Sequence, residues 1–256
     1  MAFFAMRDVR QRFGGLVALA ALSLDVAEKS VVAIVGPNGA GKSTVFNLIT
    51  GIYRPEAGAI ELRGRAIAGL PTHRIISLGV ARTFQNGRLF AFMSALENVM
   101  TGCHPRMHAS LVDSVLHPPR QRAEERAVRE RARDLLRFVA LERDAPADAR
   151  TLSYGSRRRL EIARALASDP ALLLLDEPAA GMNPREKDEL ATLVAKIAAS
   201  GITVLAIEHD MRFVANVAER VIVLDHGEKI AEGTPAEIRR DERVIEAYLG
   251  RPDGAA

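Results

Sequence analysis

The nine residues "GPNGAGKST", Gly36 to Thr44, bring three glycines, a lysine and two hydroxyls together, a set suited to holding phosphate. Phosphate carries dense negative charge, so a loop that binds it must present several donors at short range. Gly36, Gly39 and Gly41 let backbone amides converge with no Cβ in the way, and a helix starting after them adds its positive end. Lys42 then supplies a point charge for the β- and γ-phosphates of a nucleotide, and the Ser43 hydroxyl a ligand for magnesium. Asn38, Gly39, Ala40, Gly41, Lys42, Ser43 and Thr44 form the candidate nucleotide-binding set. A chance glycine-rich turn is the alternative. The apolar run "VVAIV" before the loop and the helix-forming "STVFNLI" after it argue against chance.

A second chemical pair closes the run "ALLLLDEP". A carboxylate at the end of a buried strand emerges beside the phosphates, where Asp176 can hold magnesium directly or through water. Glu177, one residue on, can orient and deprotonate an attacking water. Alone, the acidic pair could simply open a turn before Pro178; with the Lys42 loop upstream, catalysis is the better assignment.

These residues need elements to hold them. "VVAIV" and "ALLLLDE" are short, nearly continuous apolar runs, the pattern of strands covered on both faces in a parallel sheet, and "ITVLAIEHD" and "RVIVLDHGEKI" repeat it. Between them "KSTVFNLITG", "RRRLEIARALAS" and "REKDELATLVAKIAASG" have helical patterns, the last closed by Gly201 as a C-cap. Alternating strand and helix implies a doubly wound α/β sheet. From about Asn86 to Leu160 strand signals fade and helix formers take over, which predicts a helical subdomain, placed at 87–160, inserted into the α/β core of one 1–256 domain. Along it, Glu125 to Arg129 and Arg126 to Glu130 can pair as i,i+4 charges on an exposed face. Pro118-Pro119 is its clearest break.

The balance of charge is nearly even: 35 Lys plus Arg against 32 Asp plus Glu gives +3. That does not demand nucleic acid, and none is expected as a partner. The single cysteine, Cys103, excludes an intramolecular disulfide framework and fits a reducing compartment. "MAFFAMRDVRQRF" is charged by Arg7 and Asp8, unlike a signal peptide. "LVALAALSL" and "VVAIVG" fall short of the ~20 apolar residues of a membrane span, so any membrane connection is expected to run through a partner. Cys103, His104 and His108 are a weaker metal candidate, because Pro105 interrupts the helical spacing that would align them.

The stretch that separates the many users of a phosphate loop is "TLSYGSRRRLEIARAL", just before the acidic strand. Here the chain resembles the ATP-binding-cassette family, whose signature loop is Leu-Ser-Gly-Gly-Gln. Leu152, Ser153 and Gly155 match, whereas Tyr154 and Ser156 depart from it. Ser153 offers a hydroxyl and Gly155 an uncovered N–H at a helix N-terminus, both suited to a γ-phosphate; an ordinary N-cap is the alternative. In the family's order, Gln85 in "RTFQN" looks like the glutamine that senses metal and attacking water. His209 in "AIEHD" resembles the switch histidine, and "AAGMNP" takes the D-loop position with Asn183 where many members carry Asp. Phe13 in "RFGGLVAL" stands where the family keeps an aromatic that stacks on adenine, a core position being the alternative.

The resemblance runs from about Met6 to Gly250 and is narrowest to the LivG type of branched-chain amino acid importer ATPases. It implies a RecA-like P-loop core with an N-terminal antiparallel β subdomain and the inserted helical subdomain. It also implies ATP and Mg2+, with two nucleotides sandwiched between two cassettes. Its partners would be a second, LivF-like ATPase, two LivH/LivM-like transmembrane permeases and, indirectly, an external binding protein. The chain would then sit peripherally on the cytoplasmic face of the bacterial inner membrane. Cargo could be branched-chain or other hydrophobic amino acids, or another small polar solute such as urea, an amide or an aromatic acid. A soluble family member acting on DNA or ribosomes is a rival, though the long coiled coil or second cassette usual there is missing from the sequence. A small-molecule kinase on the same loop leaves the signature stretch and His209 unexplained.

Overall fold

The computed structural model describes residues 2–83, 89–104 and 119–249. The chain divides into two compact units: Met1–Val80 with Ala171–Ala256, and Ala81–Pro170.

The first unit opens with a hairpin, β1 (Phe4–Phe13) and β2 (Leu16–Val26), closed over Gly14 and Gly15 so that Phe13 faces Leu16. The strand β3 (Val31–Val35) leads into the phosphate loop and α1 (Lys42–Ile49). After β4 (Ala57–Leu62), β5 (Arg65–Ala66) and α2 (Thr72–Ser77), β6 (Val80–Arg82) takes the chain out of the unit. Strands β1, β2, β4 and β5 make an antiparallel sheet in the order β2-β1-β4-β5.

The second unit contains α3 (Ala95–Gly102), α4 (Pro119–Phe138) and α5 (Tyr154–Leu166). Ser94 and Glu97 form a reciprocal capping box that starts α3. On α4, Glu125 pairs with Arg129 at 3.8 Å, while Ala132, Leu135 and Leu136 are buried: the helix is solvated along one face and packed along the other. The buried Asn98 side chain accepts from the Phe90 N–H and donates to the carbonyls of Phe90, Met93 and Ser94. It thereby fixes a loop that holds Phe92 outward, 80% exposed.

Back in the first unit come β7 (Leu172–Asp176), α6 (Pro184–Ala199), β8 (Thr203–Ile207), α7 (Met211–Val217), β9 (Arg220–Asp225), β10 (Glu228–Gly233), α8 (Pro235–Ile238) and α9 (Glu242–Leu249). They complete a sheet of order β10-β9-β3-β8-β7-β6, in which β9, β3, β8 and β7 run parallel. The apolar runs are buried on both faces, and alternation assigns each residue to a side. Val32 and Ile34 join the core shared with α1 and the antiparallel sheet, while Ala33 and Val35 join the opposite core with Val214, Ile238 and Val244.

One stretch differs from expectation. "RVIVLDHGEKI" is two strands, because His226 and Gly227 both take positive φ (45° and 80°) and turn the chain into an antiparallel hairpin. Gly201, at φ 94°, follows α6 as expected of a C-terminal glycine.

Candidate functional site

Parallel pairing lines up the ends of three strands. Asp176 of β7 is in register with Ile207 of β8, and Ile207 with Ile34 of β3. One or two residues beyond that row stand Glu177, His209 and Gly36, so loops with different chemistry leave the sheet side by side. The carboxyl ends of parallel strands are where such sheets hold ligands.

The phosphate loop is tightly seated. A Cβ on Gly36 would lie 2.0 Å from the Leu224 carbonyl oxygen of β9, and one on Gly41, at φ 98°, would lie 2.5 Å from the Ala18 oxygen of β2. These two glycines are therefore required by the protein's own backbone, a constraint additional to room for a ligand. Ala40 is buried, and Asn38, Gly39 and Ser43 are exposed at the loop's outer side, with Thr44 half-buried. The Lys42 ammonium donates to the carbonyls of Gly36 (2.6 Å) and Pro37 (2.7 Å). Burial pulls its pKa below the ordinary lysine value, and the nearby Glu177 carboxylate opposes that shift.

Asp176 is buried at the end of β7. Glu177 adopts φ 45°, a left-handed backbone costing a non-glycine residue about 1–3 kcal/mol and typical of functional sites. Its N–H is held by the Ile207 carbonyl at 3.0 Å. The His209 side chain is exposed. At the outer end of β1, Phe13 is 41% exposed and meets Tyr53 edge-on with centroids 5.0 Å apart; it is a surface aromatic and not the core residue of the alternative reading.

Ser153 and Gly155 belong to the second unit, apart from the residues above. Ser153 is the exposed N-cap of α5, its hydroxyl accepting from the Ser156 N–H (3.2 Å) and lying 3.0 Å from the Ser156 hydroxyl. Gly155 is buried as a residue, and Ser153 and Tyr154 are exposed at this helix end. Tyr154 has a local role: its hydroxyl accepts from the Arg158 guanidinium (3.0 and 3.2 Å), and Arg158 in turn pairs with the buried Glu161 at 3.0 Å. Asn183 caps α6 in a reciprocal box with Glu186. Gln85 and His108 lie outside the described residues.

Sequence reasoning passed over three groups at this site. Tyr53 supports Phe13. The Tyr248 hydroxyl of α9 stands near the Gly36 backbone, and partial burial pushes its pKa up. Glu208, between β8 and His209, is 1% exposed, and burial raises its carboxyl pKa. The signal for Glu208 was present in "AIEHD", a carboxylate directly ending an apolar strand.

Two family models match the chain: "ABC transporter" over residues 19–180, and "Branched-chain amino acid ATP-binding cassette transporter" over residues 228–254. The second covers β10 through α9. The high-affinity branched-chain amino acid transport ATP-binding protein BraF of Pseudomonas aeruginosa is 48% identical over 93% of this chain and 94% of its own. LivG of Salmonella typhimurium, described in the same words, is 44% identical over 96% and 97%. The crystal structure of an ATP-binding cassette of an ABC transporter in its ADP conformation superposes with a TM-score of 0.86 at 32% identity, covering 98% of this chain and all of that one. The motif order, the sheet and these likenesses agree: the chain belongs to the ABC transporter family as a nucleotide-binding ATPase subunit of the LivG type.

Proposed function

We propose that this ATPase powers the import of branched-chain or other hydrophobic amino acids from the cytoplasmic face of a bacterial inner membrane, as one of two cassettes bound to two permeases. The observation that carries the ATPase half is the shared row at the sheet's carboxyl end, where the Lys42 loop, Asp176, Glu177 and His209 emerge from neighbouring strands. The transport half is supported by the likeness to BraF and LivG over nearly the full chain.

In this proposal Lys42 leaves its loop carbonyls to meet the β- and γ-phosphates of ATP, and the exposed amides of Asn38 and Gly39 add donors. Phe13, steadied by Tyr53, stacks on adenine. Glu177 takes the proton of the attacking water, and His209 holds the γ-phosphate. Asp176 and Ser43 offer the hard oxygens that Mg2+ favours, and the ion would neutralise phosphate charge there. Gln85 senses this centre. Ser153 and Gly155 act on the nucleotide held by the other cassette, so each composite site needs two chains. No helix among the described residues is long and apolar enough to cross a membrane, so membrane attachment is assigned to permeases. The outward Phe92 on the second unit, with the Arg150 guanidinium 5.0 Å over its ring, is a surface suited to such contact.

Tagged Glu177→Gln protein, trapped with ATP and magnesium and purified from native membranes, tests the assignment. Two permeases and a second cassette are expected with it. Ribosomes or DNA without membrane proteins would overturn the transport half while leaving the ATPase standing.

A further inference from the structure

Glu208 is a charged residue buried at the end of β8, pointing at no cationic side chain with which it forms a hydrogen bond among the described residues. Its partners are backbone amides. One carboxylate oxygen accepts from the Ala179 N–H at 2.8 Å and the other from the His209 N–H at 3.2 Å. Its own N–H donates to the Ile34 carbonyl of β3 at 3.1 Å. A single residue thus ties together the strand that leads into the phosphate loop, the turn that follows Glu177 and the loop that carries His209.

The other flank of His209 is anchored too. Asp210 caps α7 by accepting from the N–H groups of Arg212 and Phe213, and pairs with Lys187 of α6 at 2.5 Å. α6 begins only seven residues after Glu177. The exposed His209 therefore stands between two neighbours, both bound to the segment that Glu177 opens.

Burying a carboxylate is expensive, and an apolar residue of similar volume is often as good for stability or better. Packing alone gives no reason for a carboxylate here. Two acceptor oxygens facing converging N–H donors do: glutamine offers one oxygen and turns an NH2 group toward a donor, and an apolar side chain leaves the amides unsatisfied. We infer that Glu208 is a positioning residue that sets His209 against Glu177 and the phosphate loop, with the Asp210–Lys187 pair as its counterpart on the other flank. This rests on the roles proposed for Glu177 and His209.

The test compares ATP affinity and steady-state ATPase kinetics in the assembled transporter for wild type, Glu208→Gln, His209→Ala and the double variant. Glu177→Gln is the control. Glu208→Gln is expected to keep ATP affinity within about twofold, to lose at least about tenfold in kcat, and to add less than about twofold to the loss already caused by His209→Ala. Wild-type kcat in Glu208→Gln, or losses that multiply in the double variant, would overturn the inference. A brace serving stability alone would lower the melting temperature and leave kcat at a permissive temperature unchanged. If Glu208→Gln does not fold, Lys187→Ala carries the same test from the partly exposed flank: retained affinity with a kcat loss not additive with His209→Ala supports the inference, and wild-type kcat overturns it. Full turnover in Glu177→Gln would remove the underlying site assignment and the inference with it. Loss of turnover there with normal Glu208→Gln would remove only the inference.

Discussion

Lys42 already has two acceptors, the carbonyls of Gly36 and Pro37, so the loop keeps the ammonium in place by satisfying it. A charged hydrogen bond contributes about 1.5–3 kcal/mol, so Lys42→Ala is expected to weaken ATP binding about tenfold to a hundredfold and to abolish hydrolysis, as read by nucleotide titration and phosphate release. Burial also sets a sign for pH. The folded state holds the Lys42 proton less tightly than the unfolded chain does, so the cost of its buried charge is fully present below the lowered pKa. That cost is relieved as pH rises through the lowered pKa toward the ordinary lysine value of about 10.4. Nucleotide binding needs the charged form and should move oppositely: ATP affinity is expected to fall at a more acidic pH than an exposed lysine would give. Affinity that stays flat to the ordinary lysine range would show that burial does not lower the Lys42 pKa.

At the scale of elements, the parallel core and the phosphate loop were legible because buried strands and a glycine-rich strand-to-helix turn have strong local patterns. The β9–β10 hairpin was not, since its whole signal is His226-Gly227 inside an otherwise apolar run, and positive φ at a histidine has no distinctive sequence mark. The burial of Gly155 was not legible either, since helix position shows in sequence and burial does not. Glu208 was missed for a related reason: its partners, Ala179 and Ile34, are distant in the chain and adjacent only once β3, β8 and β7 align. The seating of the loop against β2 gives a direct measurement. Gly41→Ala places a Cβ 2.5 Å from the Ala18 oxygen at φ 98°; a loss of at least about 1–3 kcal/mol in urea unfolding is expected, whereas unchanged stability would mean that the loop is seated differently.

For the whole molecule, the proposed composite site would divide labour between the two units of the chain. The first contains Lys42, Asp176, Glu177 and His209, and the second displays Ser153 and Phe92. If Phe92 meets a permease, Phe92→Glu should reduce recovery of permeases with the tagged protein and leave ATP affinity of the isolated chain within about twofold, because exposed substitutions rarely perturb the fold. Undiminished recovery would move the docking surface elsewhere. If the proposed permeases and binding protein select the cargo, no substitution at the residues discussed here is expected to exchange one amino acid for another.

ATP binding and hydrolysis measured together on Glu177→Gln in the assembled transporter bear most directly on the chemistry. Removal of a general base costs about 10²–10⁴ in rate, so binding at least as tight as wild type with turnover reduced a hundredfold or more is the expected result. Glu177→Gln protein that binds ATP and hydrolyses it at the wild-type rate would show that the row formed by Asp176, Ile207 and Ile34 does not deliver the catalytic base.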